Sequence, residues 1–478
     1  MDTASIQFVL FGLTVALVSN FSRARAWRSS VLLIASFIFL GLLAHDPIVF
    51  LPLIGFLLLG YIGLVMVQRG WSRLQVGIVL SIILAYLWLK KYTFLPEGSF
   101  LSIPYFTLGL SYIFFRVLQL IIESGDAGVQ LSIGPGAYLA YTLNFTTFVS
   151  GPIQGYDQFA RDQFAEQPIP LGADVIGLQV ERIIRGFFKV NVLAMLLNMA
   201  RVDAVAQMYQ PLPVALKLYP AFRLSVLYPF FLYCNFSGYI DIVIGLARLM
   251  RLRLPENFDR PFSASSFLDF WNRWHITLSS WLKAYVYNPL LLALMRRISS
   301  TALQPFLGVL CFFVTFFLIG LWHGRTSEFL IFGLLQGGGV AMNKVWQLWL
   351  AGRIGRKRYK ALAANPVYIA FGRGLTFSWF AFTLFWFWAR WKEIDGIFTA
   401  LSMLQWCGVW LSVWLSATLV LASWERLRAL LLSIHAGDHP VFTSQYARVV
   451  YATAFGLIAF VMTVLLSQPA PDIIYKAF

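Results

Sequence analysis

Long apolar runs recur along the chain, separated by short polar stretches. They lie near 5–21, 30–43, 48–67, 75–89, 103–122, 133–150, 180–200, 222–248, 277–295, 303–321, 328–349, 367–389, 397–422 and 449–467. A helix needs about 20 apolar residues to cross a bilayer. Some runs reach that length and others fall short, so the pattern predicts about 11 to 14 helices. The chain reads as an all-α polytopic membrane protein of the cell (inner or plasma) membrane. No internal repeat and no low-complexity linker divides it, so residues 1–478 read as one integral-membrane domain.

Three polar stretches interrupt the pattern. Residues 151–178 carry mixed charge with amphipathic spacing, which predicts a segment lying along the interface. Residues 351–366 are rich in Arg and Lys and suit an anionic cytoplasmic leaflet. Residues 249–275 hold Glu256, Asn257, Asp259, Arg260, Asp269, Asn272, Arg273 and His275 among six aromatic rings. Lipid satisfies no such set of polar groups, and polar or irregular backbone at membrane depth survives only against protein or a water-filled cavity. The segment therefore reads either as re-entrant or as an ordinary loop with aromatic edges.

Composition agrees with the pattern. The chain is 59% hydrophobic and 12% charged, against about 25% charged in a soluble domain. Net charge is +16, from 37 Lys and Arg against 21 Asp and Glu. The basic residues collect in the interruptions, as the positive-inside rule expects, so the charge gives no reason to invoke nucleic acid. The first run follows Asp2 and precedes Arg23, Arg25 and Arg28. That order is the reverse of a cleaved signal peptide and predicts a retained helix with its N-terminus outside. Cys234, Cys311 and Cys407 are widely spaced in apolar segments, which suggests neither a disulfide framework nor a metal cluster.

Candidate chemistry centres on two of the five histidines. His275 and His323 stand beside hydrophobic helices with Asn272, Arg273, Trp322 and Arg325 around them. Ionisable groups at membrane depth are costly and mark function by default, and neutral imidazole takes a proton near pH 7. Helical spacing puts Trp271, His275 and Leu278 on one face. Gly324 offers close backbone approach to a ligand. A histidine bonded to a backbone carbonyl is the other reading at both positions, and the leading one at His275. His435 and His439, in SIHAGDHP, read as loop residues, and His45 as interfacial. Arg296 and Arg297 on one side and the five cations of 353–360 on the other place both outer ends of the 303–349 hairpin inside. Its turn at 322–327 then lies toward the outer side, or deep in a cavity opening there. Walker A, G-x-S-x-G, H-E-x-x-H and C-x-x-C motifs are absent from the sequence, and Gly337, Gly338 and Gly339 read as a packing seam.

The runs PENFDRPF and FLDFWNRWHITLSSWLKAYVYNPL, followed by GLWHG, resemble the membrane-bound O-acyltransferase family. The resemblance is to its bacterial branch, which holds the alginate O-acetylation membrane subunit and the teichoic-acid D-alanyl transfer protein. FSGYIDIVIGLA, LGLSYIFFRVLQLIIE and FVSGPIQGYDQF agree with it, and the clear likeness covers roughly 105–345. Ala284 stands where the alginate-type pattern often has Asp. The resemblance implies a ring of tilted helices around a thin core with a funnel and tunnel. It implies His323 as the catalytic residue and His275 near the donor path. The expected reaction moves an acyl group, first of all acetyl, from a cytoplasmic thioester to an extracytoplasmic polysaccharide or a partner acyl carrier. The donor would be acetyl-CoA or a phosphopantetheine carrier, with no permanently bound cofactor and no metal. His275 or Asn272 would polarise the thioester carbonyl. Arg273, Trp322 and Arg260 are further substrate-binding candidates, Arg260 with Arg251 and Arg253 for donor phosphates. An SGNH-type extracytoplasmic protein is the expected partner, alongside membrane lipid. D-alanyl transfer to a cell-envelope polymer is the alternative. A flippase for a lipid-linked glycan is the rival from another class, and the absence of repeats weighs against it.

Overall fold

A computed structural model describes residues 5–44, 46–125, 133–298, 300, 302–435 and 445–466. Among them helices dominate and no strand forms beyond one isolated bridge, Phe258 to Trp274. Seven helices are long and apolar enough to cross a membrane: Arg25–Leu43, Pro47–Gln68, Ser72–Leu89, Ala173–Tyr209, Val214–Leu249, Gln304–His323 and Met403–Leu431. Two shorter apolar helices, Ile6–Ser19 and Tyr446–Met462, accompany them. The protein is all-α and polytopic. His45 and His439 lie outside the described residues. The helix Met403–His435 includes His435, so that histidine is helical and not in the expected loop. No disulfide forms, and of the three cysteines only Cys311 is fully buried.

The chain falls into two compact units. One is built from the stretch up to Val190 together with Gly238–Glu256. Its centre is the helix Leu110–Glu123, buried at every position from Leu110 to Ile121. Arg116 on this helix is buried, and its guanidinium donates to the carbonyls of Tyr141, Thr142 and Thr147 at 3.1, 2.9 and 2.5 Å. Those carbonyls mark where the expected 133–150 helix ends early, after Pro135–Thr142. Asn144, Thr146 and Thr147 offer side-chain bonds that compete with helical ones: the Asn144 carboxamide oxygen accepts from both the backbone N–H and the hydroxyl of Thr146. The non-helical stretch is nevertheless buried. Arg116, and Ser36 Oγ, which accepts from the Phe145 N–H, supply the bonds that water would give elsewhere. The basic residues after Leu249 are held in the same unit. Arg253 pairs with buried Asp162, and Arg251 donates to Asn20 and to the Ile169 carbonyl.

The other unit comprises Asn191–Ser237 and the stretch from Asn257 onward. Its spine is a helical hairpin, Gln304–His323 and Ser327–Ile354. Glycines set the crossing. A Cβ on Gly333 would stand 2.6 Å from the Phe317 carbonyl, one on Gly337 2.6 Å from that of Phe313, and one on Gly320 would run into the Gly333 backbone. The expected glycine seam is real and reaches further along the hairpin than the triple-glycine run. Gly338, in the middle of that run, faces open space. The polar segment 257–275 folds inside this unit. Its backbone zips against itself through Asp259 N–H to the Arg273 carbonyl and Ile276 N–H to the Asn257 carbonyl. Phe267, Phe270, Trp271 and Trp274 are buried, so the aromatic part of the segment packs into the protein while Asp259, Arg260 and Asn272 stay exposed.

Candidate active site

His275 sits where a helix has been broken. The short helix Phe267–Trp271 is capped by Ser266, whose hydroxyl accepts from the Asp269 N–H, and the next helix starts only at Ile276. His275 takes a left-handed conformation between them, with φ 45°. The expectation of one helical face through Trp271, His275 and Leu278 is therefore corrected: the chain reverses direction at 272–275. Left-handed backbone is costly for a non-glycine residue, and such strain persists only where surroundings enforce it. The enforcing residue is Asn257. Its side-chain oxygen accepts from the Thr277 N–H at 3.0 Å and the Thr277 hydroxyl at 2.9 Å.

The same oxygen lies 3.3 Å from His275 Nδ1. The Thr277 N–H is an obligate donor, so the atom facing it is the amide oxygen and not the nitrogen. The Nδ1 facing that oxygen must then carry the hydrogen. This fixes the tautomer of neutral His275, with the lone pair on Nε2. A neutral His275 of this form accepts at Nε2 and does not donate there, so the expected oxyanion-donor role does not suit it.

His323 is the last residue of its helix, and Gly324 continues in extended backbone. The space beside Gly324 is filled by the ring of Phe329. The glycine therefore serves an internal contact, not the ligand approach expected of it. The two imidazoles flank one indole. Ring centroids of His275 and Trp322 are 6.3 Å apart, and those of Trp322 and His323 4.8 Å. Phe236 meets His275 edge-on at 5.0 Å, and Phe387 meets His323 at 5.1 Å. His275 is 0% and His323 2% exposed. Two proton-accepting rings and one indole donor thus share a site walled by aromatic rings.

The remaining candidates stand elsewhere. Asn272 is exposed, on the turn that reverses the chain. Arg273 pairs with Asp269 at 3.0 Å and Arg260 with Asp259 at 3.1 Å, both at the unit's surface side. Asn272 and Arg260 are exposed and Arg273 partly so, unlike the buried imidazoles. Asn257, Phe236 and Phe387 were not singled out by sequence reasoning. Asn257 reads only as one polar residue of 249–275, and nothing in PENFDRPF sets it apart from Glu256 and Asp259 near it. Phe387 had no signal either, being one of many aromatics far along the chain.

The pattern described as the membrane-bound O-acyltransferase family matches residues 82–386. A teichoic acid D-alanyltransferase of Streptococcus thermophilus is 32% identical over 247 residues, 50% of this chain and 57% of that protein. A probable alginate O-acetylase of Pseudomonas putida is 28% identical over 364 residues, 72% of this chain and 71% of that protein. A peptidoglycan O-acetyltransferase of Helicobacter pylori is 36% identical over 132 residues, 28% of this chain and 24% of that protein. The chain spans 57% to 64% of the length of the D-alanyltransferases it matches.

Proposed function

Since the chain belongs to the membrane-bound O-acyltransferase family, we propose that it transfers an acyl group, acetyl first, from a thioester to a hydroxyl acceptor. The donor on this reading is acetyl-CoA or a phosphopantetheine-linked carrier on the cytoplasmic side. The acceptor is an extracytoplasmic polysaccharide, reached directly or through an SGNH-type partner. The observation that carries the proposal is the convergence of His275, Trp322 and His323 in one buried aromatic site.

In the proposed step His323 takes the proton of the acceptor hydroxyl as its oxygen attacks the thioester carbonyl. The C–O bond forms, the C–S bond breaks, and the departing thiolate receives the proton from His323. A positioned base of this kind contributes about 10²- to 10⁴-fold. The Trp322 indole, whose ring neighbours both imidazoles, would steady the carbonyl oxygen through its N–H. His275, accepting at Nε2, would orient the hydroxyl and not polarise the thioester. Both imidazoles are shielded, so substrates reach them only as the aromatic wall parts.

D-alanyl transfer is the second reading, favoured by the 32% identity to a D-alanyltransferase. One experiment tests both. Proteoliposomes holding the purified chain receive labelled acetyl-CoA or a D-alanyl-charged carrier protein on one face, with soluble polysaccharide on the other. Thiol release coupled to labelled ester identifies the acyl group. Labelled solute crossing intact, without thiol release, would instead support the flippase.

A further inference from the structure

Away from the histidines, the second unit holds a cavity of about 590 Å³. Its wall joins the helix Ser327–Ile354, the short helix Arg356–Ala363 and the helix Pro366–Thr383, with Ser265 and Ser266 from the polar segment. Its outer side is apolar and open. Met342, Trp346, Phe371 and Leu375 line it and are 57%, 47%, 43% and 61% exposed. Large apolar side chains so exposed in a membrane protein face hydrocarbon. Its inner side is polar. Asn343, Gln347 and Thr376 line it, as does the indole N–H of Trp379, which is buried and has no hydrogen-bond partner.

Charge completes the picture. Residues 329–392 contain no Asp or Glu, while Lys344, Arg353, Arg356, Lys357, Arg358, Lys360 and Arg373 fall within 344–373. The helix Arg356–Ala363 turns Tyr359 and Ala363 into the cavity, and Arg356, Lys357, Arg358 and Lys360 on the same helix are exposed. Those four form no ion pair among the described residues. Two carboxylates of the same unit, Asp269 and Glu425, are already engaged, by Arg273 and by Ser263 and Arg428. One short helix therefore closes an amphipathic cavity on one face and offers four unneutralised cations on the others.

We propose that this cavity seats one anionic diacyl phospholipid. A chain lies along Trp346, Phe371 and Leu375, the ester region meets Asn343, Gln347 and the Trp379 N–H, and the phosphate is held by the cations of Arg356–Ala363. Basic pockets between membrane helices recognise anionic head groups in this way, each cation near the surface adding to the attraction. The lipid chain separates this ligand from soluble phosphates, which share only the head-group chemistry.

Native mass spectrometry of the purified full-length protein, titrated with phosphatidylglycerol or phosphatidylcholine, tests the proposal. Retention of the first bound phosphatidylglycerol should exceed that of phosphatidylcholine by at least about tenfold, given several cations at the head group. The quadruple variant Arg356→Gln, Lys357→Gln, Arg358→Gln, Lys360→Gln should erase the preference while keeping basal lipid retention. Ala363→Phe, which fills the cavity without removing charge, should lose the tightly held lipid of either kind. Size-exclusion profiles check that both variants fold. Equal retention of the two lipids by the wild type, or an unchanged preference in the quadruple variant, would overturn the proposal. So would full displacement of bound phosphatidylglycerol by glycerol 3-phosphate or coenzyme A at equal concentration, since the site would then read a soluble phosphate.

Discussion

Replacing Asn257 with alanine should damage stability and turnover together, because one oxygen holds three donors. The donors are the Thr277 N–H at 3.0 Å, the Thr277 hydroxyl at 2.9 Å and His275 Nδ1–H at 3.3 Å. A hydroxyl rotates to find another acceptor, but the buried N–H of Thr277 and the imidazole N–H do not move freely. Each buried donor left unsatisfied costs about 1–3 kcal/mol. The imidazole bond is long and belongs at the low end, giving about 2–4 kcal/mol in all. For a chain of 478 residues a loss of this size lowers the thermal midpoint by roughly 2–4 °C. Freed from Asn257, the His275 ring loses its enforced tautomer and its position. A displacement of that kind costs up to about 10²-fold in rate. Fluorescence-detected thermal unfolding of the purified protein reads the first effect, and thiol release from a thioester donor reads the second. Thr277→Val removes only the hydroxyl and should cost about 1 kcal/mol with little change in rate. Asn257→Ala unfolding and turning over as the wild type does would refute the assignment of Asn257 as the residue that positions His275.

His323→Ala should abolish acyl transfer while the protein still elutes as a single species; near-normal transfer would remove His323 from the chemistry. Gly320→Ala should destabilise the protein strongly, because the new methyl group meets the Gly333 backbone and no flexible side chain can yield; normal yield and melting would contradict the close crossing. Gly355→Cys, made after replacement of Cys234, Cys311 and Cys407, should resist a membrane-impermeant thiol reagent in intact spheroplasts and react after permeabilisation. Labelling before permeabilisation would reverse the expected orientation of the 353–360 cluster.

Hydropathy alone carried the helical, membrane-spanning class, because burial in lipid demands long apolar helices whatever the tertiary packing. It could not mark where a helix stops inside protein. Residues 143–150 were expected to continue a span, yet they leave the helix: Asn144 and Thr146 bond to each other locally, and Arg116, distant in sequence, takes the carbonyls of Tyr141, Thr142 and Thr147. His275 shows the same limit. Local spacing suggested one helix through 271–278, and only the cross-chain bonds of Asn257 impose the break. His323 and Trp322 were legible because their motif is contiguous. Asn272, Arg273 and Arg260 looked equal to them by proximity in sequence, but they stay exposed or partly exposed while the two imidazoles are buried. The glycine seam was visible in part, since Gly337 sits in a run, whereas Gly320 needed its partner helix to acquire meaning.

The glycine seam also decides how the site can move. At Gly320, Gly333 and Gly337 the two long helices meet closely enough that an added Cβ would strike backbone of the other helix, which leaves little room for them to slide. A one-residue shift would drive a leucine or phenylalanine into a carbonyl. His323 is therefore mounted on a fixture and not on a hinge. A thicker or thinner bilayer changes helix tilt, but the pair must tilt as a single beam and carry its imidazole along. Gating then belongs to the small rotors around it, the indole of Trp322 and the ring of Phe387, which turn about their own bonds. Admission of substrate becomes a matter of ring flips, with the backbone as a stationary frame.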